Sequence, residues 1–181
     1  MFSDGLEGAY WLGKMDREAF DVLCEKGVAF HYLNEHHHLY REHRTIQLAS
    51  SSTIPSSSSS SSSSYGRLLP EVGYINYSPP FQAPLPLSTA SDPRFFPALR
   101  TFTRILNSRE RIFERELKPG MAVVFDNRRV LHGRRGFQSV GKQEGIGRWL
   151  KGCYLEGDDL LDRLRVIREG KVPSDDAKGY I

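Results

Sequence analysis

Cysteine is scarce in this chain. Cys24 and Cys153 are the two in 181 residues, too few for a disulfide framework, and they fit a reducing compartment. No apolar run approaches the roughly 20 residues that a membrane-spanning helix needs. The start, Met1-Phe-Ser-Asp-Gly-Leu-Glu7, has no basic segment followed by an apolar one, so no secretory signal is expected, and it lacks the arginines of a transit peptide. Charge of a single sign is also lacking. The 25 Lys and Arg residues are scattered among 22 Asp and Glu, for a net charge of +3. That balance argues against a nucleic-acid module, whose only support is the pairs Arg128-Arg129 and Arg134-Arg135. A last absence is chemical. The six histidines are His31, His36, His37, His38, His43 and His132, and none is followed two residues later by Asp or Glu. What is present is an ordinary soluble balance, 39% hydrophobic and 26% charged, in a chain long enough for one domain with a core.

Along the chain, Met1 to Gly8 reads as short and turn-rich. Asp16 to Lys26 reads as a helix: Asp16 is the N-cap, Phe20, Leu23 and Cys24 share one face, and Gly27 stops it. Val28 to Leu33 alternates as a strand does. Asn34 to His43 holds four histidines and reads as a surface loop, because consecutive histidines on an extended chain point to alternating faces and cannot all reach one ion. Ser50 to Ser64 is low in complexity and is expected to be a disordered insert within the domain. Asp92-Pro93 opens a second helix, with Phe96, Leu99, Phe102 or Thr103, and Leu106 at helical spacing. Ile112 to Leu117 reads as a strand, Gln138 to Gly147 as a polar loop, and Arg148 to Leu155 as a strand. Asp158 caps a last helix that presents Leu160, Leu161, Leu164 and Ile167 on one face and ends near Gly170, and the tail from Lys171 frays.

The stretch from Leu117 to Arg134 organises the rest. Lys118-Pro119-Gly120 is a turn signal. Met121 to Phe125 is a short apolar run fit for a buried strand. Asp126-Asn127 turns the chain. Val130-Leu131 then delivers His132, with Gly133 and Arg134 directly behind it. A histidine at the end of an apolar strand, ringed by arginines, is placed as a site residue is; the alternative is a histidine satisfied within the structure.

Three segments carry a resemblance: Phe125-Asp-Asn-Arg-Arg-Val-Leu-His-Gly-Arg134, Arg148-Trp-Leu-Lys-Gly-Cys-Tyr-Leu155 and Asp158-Asp-Leu-Leu-Asp-Arg-Leu-Arg-Val-Ile167. Together they resemble the C-terminal part of the γ-butyrobetaine and trimethyllysine dioxygenases, Fe(II)/2-oxoglutarate enzymes of the TauD/TfdA type. The likeness runs from about Phe2 to Ile167, apart from the serine-rich insert. It implies a mainly β, α+β domain over residues 1–170, part of a double-stranded β-helix of the jelly-roll type with flanking helices. It implies iron(II) held by two histidines and a carboxylate, with 2-oxoglutarate as cosubstrate. His132 matches the downstream iron-binding histidine. Arg148 matches the arginine that clamps the distal carboxylate of 2-oxoglutarate, a task suited to a guanidinium fork, with Arg134 and Arg135 as the other candidates. Tyr154 matches an aromatic of the cage for a trimethylammonium group, which cation–π attraction recognises; the alternative is a tyrosine packed in the core. The implied partner is a small trimethylammonium molecule, with no nucleic acid and no membrane, and a homodimer is left open.

Two departures qualify the resemblance. Where the family carries paired asparagines near the substrate, this chain has Asn76-Tyr77-Ser78. The His-x-Asp half of the iron site has no counterpart and is expected to lie before Met1. The main expectation is thus hydroxylation of a trimethylammonium substrate, coupled to conversion of 2-oxoglutarate to succinate and CO2, by a site of which this chain holds one part. The alternative is an inactive truncated product or remnant that acts, if at all, as a binding module. A cytoplasmic location is expected, or a mitochondrial one if a segment precedes Met1.

Overall fold

The computed structural model describes residues 1–49, 69–134, 136 and 150–170. The chain divides into two compact units, Met1–Gly136 and Phe137–Ile181. In the first unit the elements follow as β1 (Phe2–Asp4), α1 (Gly5–Met15), α2 (Arg17–Glu25), β2 (Gly27–Leu33), β3 (His38–Arg44), β4 (Ile46–Leu48), β5 (Val72–Ile75), a 3-10 turn at Pro79–Phe81, α3 (Leu87–Ala90), α4 (Phe95–Leu106), β6 (Ile112–Phe113) and β7 (Val130–His132).

Helices carry the core. Asp16 ends one helix and starts the next: its backbone N–H donates to the Leu12 carbonyl at 2.7 Å, and its side chain accepts from the Ala19 N–H at 3.0 Å. This is the N-cap expected at Asp16. The corner folds α2 back so that Phe20 and Leu23 meet Leu12 of α1 and Phe95 and Phe102 of α4, all buried in one cluster with Ile46 and Ile75. Cys24 sits in that cluster, and burial pushes its thiol up to about 12, so it behaves as a small apolar side chain. Asp92 ties α2 to α4. Its carboxylate accepts from the Arg94 side chain at 2.8 Å and from Lys26 Nζ at 2.9 Å, and these two cations hold its pKa well below the usual carboxylate range.

Among the described residues three small antiparallel sheets accompany the helices: β6-β1-β7, β2-β3 and β4-β5. The helices and antiparallel strands of an α+β domain are therefore both present, with the helices and not a β core supplying most of the interior. In the three-stranded sheet Phe2 lies opposite both Phe113 and His132, and Ser3 opposite both Ile112 and Leu131. Opposed residues share a face. The Ser3 face turns inward, where Ser3 Oγ donates to the Leu106 carbonyl at 3.0 Å and Leu131 packs on the core.

Several local expectations change. The N-terminal segment is not a run of turns but β1 followed by the eleven-residue α1. Its glycines, poor helix formers, serve close packing: a Cβ on Gly8 would stand 2.7 Å from Leu106 Cδ2, and one on Gly13 would stand 2.6 Å from Leu69 Cδ2. The histidine-rich loop is a hairpin. Asn34 Oδ1 accepts from the N–H groups of His36 and His37, turning the chain, and His38–Arg44 pairs with β2 throughout. Helix α4 buries Phe95, Ala98, Phe102, Ile105 and Leu106, and Phe96 is exposed, so its inner face is rotated from the expected one. The strand expected over Ile112 to Leu117 is confined to Ile112–Phe113. Met121 to Phe125 forms no strand and joins none of the sheets; Val124 is 89% exposed. The serine-rich insert Ser50 to Ser64, the loop Gln138 to Gly147 and the tail from Lys171 lie outside the described residues.

In the second unit residues 150–156 have no regular structure, which removes the described part of the strand expected up to Leu155. Helix α5 spans Gly157–Arg168. Glu156 occupies its N-cap and Asp158 falls within the first turn, where, with Asp159, it opposes the helix dipole; Arg165 and Arg168 do so at the other end. Gly170, at φ 67°, adopts the left-handed conformation expected just beyond a helix end. No helix of the described residues is long and apolar enough to cross a membrane.

Candidate functional site

His132 is the last residue of β7, on the outer face of the three-stranded sheet. Because the side-chain period of a strand is two, burying Leu131 turns His132 outward. Its cross-strand partner is Phe2, and Phe2 is followed across the next strand by Phe113. Phe125 closes over this row. Its ring centroid lies 4.9 Å from the His132 imidazole and 5.5 Å from the Phe2 ring. The imidazole thus stands exposed at one end of an aromatic strip, with an apolar wall on two sides. The strand end is fastened to the N-terminus: the Gly133 N–H donates to the Met1 carbonyl, and the Met1 amine donates to the Gly133 carbonyl, each at 3.1 Å.

The turn ahead of β7 is held from several sides. Asp126 shapes it, its side chain accepting from the Arg128 N–H at 2.8 Å and its carbonyl from the Val130 N–H at 2.8 Å. The Arg128 carbonyl accepts from Ile75 of β5 at 3.0 Å, and the Arg129 carbonyl accepts from Gly5 of α1 at 2.8 Å. The Arg128 guanidinium lies over the Tyr74 ring, 4.6 Å from its centroid. Asp4 divides its two oxygens. Oδ1 caps α1 by accepting from Leu6 and Glu7, and Oδ2 accepts from Arg129 Nε at 2.9 Å and Nη2 at 2.5 Å. Partial burial pushes the Asp4 carboxyl up, but the Arg129 guanidinium and the two backbone donors outweigh it, and its pKa lies below the ordinary value.

The sequence-predicted residues are placed as follows. His132 stands as described. Arg148 and Arg135 lie outside the described residues. Arg134 is exposed, two residues past His132. Tyr154 belongs to the second unit, in the irregular stretch before α5, and is 85% exposed. The other histidines line the β2–β3 hairpin. His31 and His38 share one face, and His43 lies on the other beside Phe30. Burial, reinforced by Arg41 and Arg128, lowers the pKa of His43. Among the described residues no three His, Cys, Asp or Glu side chains come together to hold a metal ion. The rings at His132 offer no lone pair, so among the described residues the imidazole is the one metal-binding group at this place.

Sequence reasoning missed the parts that surround His132. Phe2 and Phe125 were not singled out, and their signal exists only once β1 and β7 are paired. Asp4 had a readable signal: an N-cap residue with Glu7 three positions on, the pattern of a capping box.

Comparison with known proteins bears on this site. The family model described as "Taurine catabolism dioxygenase TauD, TfdA family" matches residues 1–154, which include the whole His132 sheet and its turn. Dioxygenase str8 of Strobilurus tenacellus is 44% identical over 172 residues, 93% of this chain and 36% of that protein. γ-Butyrobetaine dioxygenase of Pseudomonas sp. (strain AK-1) is 30% identical over 167 residues, 92% of this chain and 38% of that protein. The mitochondrial trimethyllysine dioxygenase of Bos taurus is 43% identical over 74 residues, 41% of this chain and 16% of that protein. The chain therefore spans less than two fifths of the length of these relatives. With a family model covering most of its length and the resembling histidine on an open sheet face, the chain belongs to the TauD/TfdA dioxygenase family.

Proposed function

We propose that this chain forms the His132 side of the active site of an Fe(II)/2-oxoglutarate-dependent dioxygenase, in a jelly-roll catalytic domain. In this reading His132 is one of three iron ligands, and the other two come from outside these 181 residues, since no histidine here has the His-x-Asp or His-x-Glu spacing. The observation that carries the proposal is the placement of His132. The one histidine that resembles a family ligand sits exposed on an outward sheet face, walled by Phe2 and Phe125. Iron would supply oxygen activation. The chain's own part is to hold the imidazole in one orientation and to keep one side of it apolar, which excludes water from that flank.

Arg148 is assigned the distal carboxylate of 2-oxoglutarate and Tyr154 one wall of a trimethylammonium cage. The substrate class we propose is γ-butyrobetaine-like, supported by the similarity to a γ-butyrobetaine dioxygenase along 92% of the chain. A second reading, a non-catalytic remnant, is favoured by one observation: the described residues do not assemble a metal site.

One experiment separates the two. The native protein, captured from its source with an antibody to residues 158–181, is assayed for succinate release from 2-oxoglutarate with γ-butyrobetaine and Fe(II), alongside the His132→Ala form. Turnover that His132→Ala abolishes is the expected result. Absence of turnover in the captured protein would favour the remnant, and turnover that survives the substitution would remove His132 from the site.

A further inference from the structure

We infer that Asp4 and Arg129 are positioning residues for His132: their ion pair holds β7 against β1 in the register that burial of Leu131 favours, and so keeps the imidazole facing outward. This deepens the proposed function and rests on His132 being a ligand, but the pair's action on the strand can be read without any metal.

Strand β7 has three residues and pairs with a β1 of three residues, so the ladder alone specifies its register weakly. A slip of one residue would exchange Leu131 for His132, burying the imidazole on the core and exposing the leucine. Burial of Leu131 favours the observed phase, and a grip outside the short ladder can hold it there. The turn from Asp126 to Arg129 is where that grip acts, because it immediately precedes Val130. Its last two carbonyls are gripped by different elements, Arg128 by β5 and Arg129 by the first residue of α1. Asp4 then adds a two-donor ion pair to Arg129, across 125 positions of sequence, from the same residue that caps α1. The clamp thus references β7 to the start of a helix whose far side is packed in the core. Gly5 shows how tight the reference is: a Cβ there would stand 2.9 Å from the Arg129 carbonyl oxygen and 3.0 Å from Ile75 Cγ1.

Asp4 serves two tasks with two oxygens, which allows them to be separated. In Asp4→Asn the side-chain oxygen can still cap α1, since Asn caps as well as Asp, while the charge that pairs with Arg129 is gone. Arg129→Gln removes the pair from the other side and leaves the cap untouched. Arg129→Lys keeps the charge and loses the fork.

The test uses the isotope-labelled 181-residue chain and three NMR readouts: amide exchange at Gly5 and Gly133, the His132 imidazole proton shifts that the Phe125 ring displaces, and amide exchange at Phe102 in α4 as a control. Asp4→Asn and Arg129→Gln are each expected to speed exchange at Gly5 and Gly133 about tenfold. They are also expected to move the His132 shifts toward those of a free histidine, with Phe102 unchanged. The double variant should go no further than either single one, and Arg129→Lys should fall between. Unaltered His132 shifts in both single variants, or additive effects in the double, would overturn the proposal. If Asp4→Asn disturbs Phe102 as well, Arg129→Gln alone decides. A failure here leaves the succinate assay of His132→Ala unaffected, so the clamp and the ligand assignment stand or fall separately.

Discussion

Phe102 and Phe113 are both aromatic residues of the first unit, yet Phe102 is fully buried in α4 and Phe113 is 64% exposed on β6. The contrast extends to the regions around them. The layer of α1, α2 and α4 is held by interdigitated apolar side chains. The sheet that carries His132 is held on its outer side by short ladders, one ion pair and the grip on the turn before β7. Stability and candidate chemistry are thereby separated in space. A side chain lost from the helices costs packing, whereas one lost from the outer sheet face costs orientation and leaves the core intact.

The sharpest probe of that separation is His132→Ala. We expect turnover to fall by more than about 100-fold, since a lost ligand costs more than a lost partner of a ligand, with the unfolding midpoint in urea little changed. A large drop in the midpoint would break the comparison. Phe102→Ala is the converse. It should lower unfolding free energy by about 3–5 kcal/mol, measured by chemical denaturation, and any lost activity should follow the unfolded fraction. Gly8→Ala pushes a methyl into buried Leu106 and should cost about 1–3 kcal/mol by overpacking, again with the outer sheet face unaffected by NMR. The smallest effect is the pH dependence. Asp4 and Asp92 both have lowered pKa values in the folded chain. Their contribution is complete above the unfolded carboxylate value of about 3.9 and is lost as pH falls from there through the lowered folded values. Urea midpoints should fall first as pH drops below the free histidine value of about 6.5, because His43 has a lowered pKa in the fold, with a further decline from the two carboxylates below about pH 4. In Asp4→Asn the second decline should be shallower.

Part of this division was readable from the sequence. Helix α2 was legible because its cap and its apolar face agree, and β2 because it alternates. Helix α4 exists as expected but starts at Phe95, with Arg94 and not Asp92 at its N-cap, and it is rotated, since Phe95 and Phe96 offer two adjacent starting points for the same spacing and packing selects Phe95. Helix α1 was hidden by Gly5, Gly8 and Gly13, whose purpose is the close approach of other elements. Strand β3 was hidden because both its faces are mostly charged or polar and nearly all of it is exposed, Leu39 and Tyr40 included, so no burial pattern marks it. His132 was legible from its motif. The rings beside it were not, because the pairing of Phe2 with His132 joins opposite ends of the unit and no local pattern announces it.

The pairing of β4 with β5 has a consequence for protein engineering. Ile46 lies opposite Ile75 and Leu48 opposite Val72, and the Ala49 N–H donates to the Glu71 carbonyl at 3.0 Å. The two ends of the intervening sequence are therefore already brought together by a ladder that is anchored in the core through Ile46 and Ile75. The entropy of joining such ends grows only with the logarithm of the connecting length, about 0.6 kcal/mol for each doubling. Lengthening the connection between Ala49 and Glu71 should thus cost little. An epitope or a small reporter domain placed there should be carried without moving Asp4, Arg129 or His132.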